Sequence, residues 1–136
     1  MIKTHIIVDF YHADKTTLAK TEELKAAIDR VLCNLDIEAC NDNYIQFEPE
    51  GVTATVVTKD FHFSIHTWPE YHACAVDLYS SKDKHFASKV AEAFKKELLA
   101  GEYDLKVVRS LMKRKPIPVS RHCERNAVER SNPFQR

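Results

Sequence analysis

Between residues 52 and 80 the chain carries three short runs rich in β-branched, aromatic and small apolar residues, VTATVVT, FHFSIHT and ACAVDLYS. The breaks around them are no longer than PEG (49–51), KD (59–60) and PEYH (69–72). A parallel crossover does not fit into gaps of that length, whereas a hairpin connection does. This stretch therefore fixes an antiparallel meander. Side chains alternate along an extended strand, so His62, Ser64 and His66 share one face while Phe61, Phe63 and Ile65 share the other.

The flanking segments fill in the remaining elements. THIIVDFY (4–11) reads as a strand, and EACNDNYIQFE (38–48) as another. Residues 18–35 place Leu18, Leu24, Ala27, Ile28, Val31, Leu32 and Leu35 at helical spacing, with Asp14 or Thr16 available as a cap. Residues 80–101 form a second helix, in which Phe86, Val90, Phe94 and Leu98 make the buried stripe. Ser80 and Asp83 resemble a capping box there, and Gly101 a C-terminal stop. DLKVVRSL (104–111) closes the order β-α-β-β-β-β-α-β. The expected fold class is α+β, a two-layer α/β sandwich whose antiparallel sheet carries two helices on one face. Its other face is left for water, a ligand or a partner.

The 136 residues, 44% of them hydrophobic, suit one globular domain at 1–111. Residues 113–136 hold seven basic and two acidic side chains, net +5, against net −5 for the rest, and the basic tail at 112–136 is expected to be disordered. No aromatic-interleaved basic face accompanies it, so nucleic acid is not the expected partner. No apolar run approaches the roughly 20 residues that span a membrane, and the N-terminus lacks the layout of a signal peptide; a cytoplasmic protein is expected. Cys33, Cys40, Cys74 and Cys123 show no CxxC spacing, and three of them lie in apolar surroundings as small hydrophobes. His62 and His66 belong to a strand, so their spacing lacks its helical HExxH meaning, and no metal is expected.

The stretches FEPEGVTATVV (47–57) and DFHFSIHTWPEYHACAVDLYSS (60–81), followed by a helix and a strand, resemble the bacterial and archaeal S-adenosylmethionine decarboxylases of polyamine (spermidine) biosynthesis. The family's pattern there is close to F-x-P-x-G-V-[ST], E-S-H-x-x-I-H-T-W-P-E and A-A-V-D-[VL]-[FY]-T-C-G, and the likeness spans about residues 3–111. The resemblance implies a proenzyme that cuts itself before a serine. That serine becomes a pyruvoyl group, which binds the substrate amine as a Schiff base and accepts electrons as carbon dioxide leaves. On an ungapped alignment through Ile65-His66-Thr67-Trp68-Pro69-Glu70, the serine position falls on Phe61 and the preceding Glu on Asp60.

Phe61 has no oxygen to attack a carbonyl or to become a ketone, so no pyruvoyl group is possible at this position. The family's proton-donating cysteine falls on Ser81, a far weaker acid than a thiol with pKa about 8.5. The remaining matches are carried over by resemblance. His66 assists processing and catalysis, Thr53 supplies a hydroxyl to self-cleavage, and His62 is the second histidine. Phe47 stacks on adenine, and Glu70 holds the ribose hydroxyls. Each also has a plainer explanation: Phe47 as core, the histidines as hydrogen-bonded sheet residues, Glu70 as a solvated carboxylate, Phe61 as filling.

The expectation is thus an unprocessed, catalytically silent family member. It binds S-adenosylmethionine or a related nucleoside, or regulates an active paralogue, and forms a homodimer or heterodimer through the family's sheet edge. Two alternatives stand beside it. One is an active decarboxylase processed at Ser64, although that hydroxyl lies about 10 Å along the strand from the expected site. The other is a structural or interaction protein with a collapsed pocket.

Overall fold

The computed structural model describes residues 4–110. Strand β1 (Thr4–Tyr11) is followed by helices α1 (Lys15–Ala19) and α2 (Thr21–Asn34). Strands β2 (Ala39–Gln46), β3 (Val52–Thr58), β4 (Phe61–Trp68) and β5 (Ala73–Ser80) come next, with a single 3-10 turn at Pro69–Tyr71 between the last two. Helix α3 (Lys84–Glu97) and strand β6 (Glu102–Ser110) complete the fold. The six strands form one antiparallel sheet in the order β2-β3-β4-β5-β1-β6. The helices cover one face, as the α+β sandwich expected from the sequence requires.

Alternation positions the core. In β4 the side chains of Phe61, Phe63, Ile65 and Thr67 are buried while His62, His66 and Trp68 are exposed. Ile6, Val8 and Phe10 of β1, Val52, Ala54 and Val56 of β3, and Val76 and Leu78 of β5 point the same way. They meet Leu24, Ile28 and Val31 of α2 and Val90 and Phe94 of α3. Aromatic rings link the layers: Phe63 meets Phe94 edge-on at 5.2 Å, and Phe94 lies 6.1 Å from Phe10. Each such buried side chain contributes roughly 1.5–3 kcal/mol.

Long-range contacts reshape several local expectations. The helix expected over 18–35 is two helices, broken at Lys20, which is extended (φ −126°, ψ 149°). Asp14 caps α1 by accepting from the Thr17 N–H at 3.1 Å. The break is held from outside: the Gln46 side-chain oxygen accepts from the Thr21 N–H at 2.7 Å, and Ala19 O accepts from the Gly51 N–H at 2.9 Å. Ser80 and Asp83 do not make a capping box. Asp83 is itself the N-cap of α3, accepting from the N–H groups of His85 and Phe86, while Ser80 Oγ accepts from the Lys82 N–H.

Leu99, not Gly101, takes the left-handed conformation after α3 (φ 53°). Gly101 meets a different need, since a Cβ there would lie 3.1 Å from His12 Cβ. Only Cys74 of the described cysteines is buried; Cys33 and Cys40 are exposed, because one sits on the outer side of α2 and the other at the irregularity in edge strand β2. Burial, with Asp9 adding to it, pushes the Cys74 thiol up to about 12. The basic segment 112–136, expected to be disordered, and Cys123 within it lie outside the described residues.

Candidate functional site

The residues singled out by the sequence fall at two ends of β4. At the first end, β3 and β4 join through the two residues Lys59 and Asp60. Thr58 Oγ1 closes this hairpin, accepting from the Phe61 N–H at 3.2 Å and donating to Phe61 O at 2.8 Å. The Phe61 ring is only 2% exposed and faces the helices. It lies 6.1 Å from Phe63 and meets the Phe86 ring of α3 edge-on at 5.5 Å.

Ser81, in the turn after β5, reaches the same hairpin. Its N–H and its Oγ both donate to Asp60 O, at 2.9 and 3.0 Å. The carbonyl between residues 60 and 61 therefore has two converging donors, an arrangement that stabilises negative charge on a carbonyl oxygen. Asp60 also faces Lys82 Nζ at 4.0 Å, and that ammonium lies 5.6 Å from the Phe86 ring centre. His62 is on the opposite, helix-free face, stacked on Tyr79 at 4.9 Å.

The second end holds Thr53, His66, Phe47 and Glu70. Thr53 and His66 are register partners, and Thr53 Oγ1 lies 3.1 Å from His66 Nδ1. The imidazole is tilted against Trp68 at 6.4 Å. Phe47, 50% exposed, leaves β2 where its N–H donates to Gly51 O at 2.8 Å. Gly51 has φ 113°, and a Cβ on it would lie 4.0 Å from Phe47 Cβ and 3.9 Å from Pro69 Cδ. Phe47 and the turn that carries exposed Glu70 thus flank one glycine.

Five steps along the strand lead from Phe61 to His66, about 17 Å at 3.3 Å each. Within one chain the hydroxyl–imidazole pair Thr53–His66 does not reach the Asp60 carbonyl. Ser64 lies between the ends on the helix-free face, opposite Thr55 and Asp77. Among the described residues, no group of three or more His, Cys, Asp or Glu side chains could hold a metal ion. No described helix is long and apolar enough to cross a membrane.

The family model for S-adenosylmethionine decarboxylase matches residues 4–110. The chain belongs to this family. Among curated family members, the S-adenosylmethionine decarboxylase proenzyme of Archaeoglobus fulgidus is 35% identical over 95 residues, covering 70% of this chain and 82% of its own length. That of Sulfurihydrogenibium sp. is 30% identical over 103 residues, covering 76% and 77%. The crystal structure of adenosylmethionine decarboxylase from Aquifex aeolicus superposes with a TM-score of 0.73 at 25% identity, covering 86% of this chain and 97% of that one. The Trypanosoma brucei structure, at 14% identity and a TM-score of 0.56, shares the fold over 45% of its length.

Several residues that build the two ends of β4 in this S-adenosylmethionine decarboxylase-family chain were not legible in advance. Gln46 holds the Phe47 end together, accepting from Thr21 and donating to Ala19 O and Gly51 O, each at 3.0 Å. Thr67, buried, accepts from the Val52 N–H and donates to Leu18 O, both at 2.8 Å. His72 (φ 53°) ends the 3-10 turn and ties it to Ala13: its carbonyl accepts from the Ala13 N–H at 2.9 Å, and its Nδ1 lies 3.0 Å from Ala13 O. Thr67 and His72 lie inside or beside the I-H-T-W-P-E stretch, whose threonine carried the available signal. Gln46 carried none.

Proposed function

We propose that this chain is an unprocessed, catalytically silent S-adenosylmethionine decarboxylase-family protein of polyamine metabolism. It stays in one piece, binds S-adenosylmethionine or a related nucleoside at the Phe47–Glu70 end, and self-associates or pairs with an active paralogue. The observation that carries this reading is Phe61: its benzyl group has no oxygen and is packed against Phe63 and Phe86 in the core. The side chain at position 61 does not fit a pyruvoyl group.

Ser81 agrees with that reading. Its hydroxyl is occupied by the Asp60 carbonyl, so it fastens the intact hairpin instead of facing a ligand. The exposed residues at the far end support binding. Phe47 offers a ring face to a purine or a sulfonium, an attraction of roughly 0.5–2 kcal/mol for the cation. Association of two chains is supported by the helix-free face, where Ile45, Val57 and Trp68 are exposed side by side with polar residues.

Intact mass with a carbonyl-reactive probe tests the first part. One species near 15.7 kDa without a reactive keto terminus is expected. Two fragments split before residue 61 or 64 would overturn it, the second split pointing to the Ser64 route. Thermal melting with S-adenosylmethionine tests the second part, since a ligand at 100 times its Kd adds about 2.7 kcal/mol. No shift at millimolar ligand would leave a structural or interaction protein.

A further inference from the structure

Helix α3 turns a set of cations outward on the covered side of the sheet, away from the face given above to chain association. Residues 4–110 hold twelve basic and eighteen acidic side chains, net −6, yet α3 alone carries Lys84, Lys89, Lys95 and Lys96. Its inner stripe of Ala87, Val90, Ala91 and Phe94 is buried, so the lysines point to solvent, Lys95 only in part. Among the described residues, none of the four lies within 4 Å of a carboxylate. In α2, by contrast, both cations are paired: Lys25 lies 3.1 Å from Asp42, and Arg30 meets Glu97 at 2.7 Å. The carboxylates of α3 are engaged by the fold itself. Glu92 accepts from the Tyr103 hydroxyl at 2.7 Å, and Glu97 from Arg30 and Asn34.

Helix stability does not account for these lysines. A cation is favourable in the last turn, which suits Lys95 and Lys96, but Lys84 stands in the first turn, where it is unfavourable. From Lys84 to Lys96 the helix advances about 18 Å. Just beyond it Leu99 is 66% exposed at φ 53°, a conformation that asparagine adopts more readily than leucine. Leu99 and Ala100 line a concavity of about 420 Å³ together with Glu92, Lys95 and Lys96. An apolar centre with a charged rim is the composition of a protein-docking spot. The segment 113–136, net +5, has the wrong sign to lie there. A nucleic acid is also a poorer match, since α3 contains no arginine and its half-buried Phe86 ring is packed on Phe61.

We propose that the outer face of α3 docks an acidic segment of a partner protein. A large apolar side chain of that segment sits against Leu99, and its carboxylates pair with Lys95, Lys96 and the lysines that precede them. The proposal is independent of nucleoside binding at the Phe47 end and of chain association through the helix-free face.

Full-length, isotopically labelled protein titrated with a synthetic glutamate-rich peptide tests it. The peptide has one central leucine and about eight residues, enough to span the lysines when extended. Saturable movement of the Lys84–Leu99 amide signals is expected, while those of β4 stay in place. Lys95→Gln and Lys96→Gln together should weaken binding on the order of tenfold, the loss of two exposed ion pairs, and flatten its salt dependence. Leu99→Asn suits φ 53°, so the melting temperature should not fall, while binding weakens about fivefold as the apolar contact is lost. Absence of saturable movement overturns the proposal, as does an affinity unchanged in both variants. A single-stranded oligonucleotide of equal charge that binds as tightly as the peptide overturns it too, in favour of a nucleic acid. Self-association that the two lysine substitutions abolish overturns it in favour of a second copy of this chain.

Discussion

The two ends of β4 have been treated in opposite ways. At the Phe61 end a large aromatic ring faces inward, is sealed by Phe63 and Phe86, and is fastened by Thr58 and Ser81. At the Trp68 end the indole, His66 and Glu70 face outward, while Thr67 and Pro69 turn in. The strand's period explains the difference. Position 61 projects toward the helices, so an apolar replacement gains contacts and burial there. Positions 66, 68 and 70 project where no element packs, and an apolar replacement would gain little. An apolar side chain therefore adds stability at the first end and hardly any at the second.

The sharpest way to break this contrast is Phe61→Ser. Loss of a buried ring should cost about 3–5 kcal/mol, read from the urea midpoint at unchanged slope. A cost below about 1 kcal/mol, the scale of surface changes, would show that the two ends do not differ in packing. Thr67→Val comes next. It strands the buried Val52 N–H and Leu18 O and should cost about 1–3 kcal/mol by the same measurement. Gly51→Ala forces a Cβ into φ 113° and should cost about 1–2 kcal/mol, with the Phe47 ring signals moving in nuclear magnetic resonance spectra. Thr53→Val should be the mildest, within about 0.5 kcal/mol, while the His66 ring signals shift as their partner is lost.

Much of the fold was legible because it depends on short-range period. The alternation of FHFSIHT and the two-residue gap at Lys59-Asp60 dictated the β3–β4 hairpin and the burial of Phe61 without reference to the rest of the chain. The break at Lys20 was not legible, because the partner that ends one helix and starts the next, Gln46, is 25 residues from Thr21. Nor was the left-handed stop at Leu99, since a glycine two residues later offered the ordinary signal and was needed instead for its closeness to His12. For the site, residue types were legible and proximity was not. Phe61 and His66 look adjacent in a twelve-letter motif, yet an extended backbone holds them about 17 Å apart. The His5–Asp77 contact joins positions 72 residues apart, and no spacing rule anticipates it.

Strand β1 lies between β5 and β6, with Thr4 opposite both Ser80 and Ser110. On a ribosome, then, the strand that emerges first of these six is the last to find both neighbours. The β2–β5 meander is complete in itself and can assemble while β1 waits, and pairings this distant in sequence slow folding. A messenger truncated anywhere before β6 leaves the N-terminal strand with an open edge, the kind of surface on which unfinished chains aggregate.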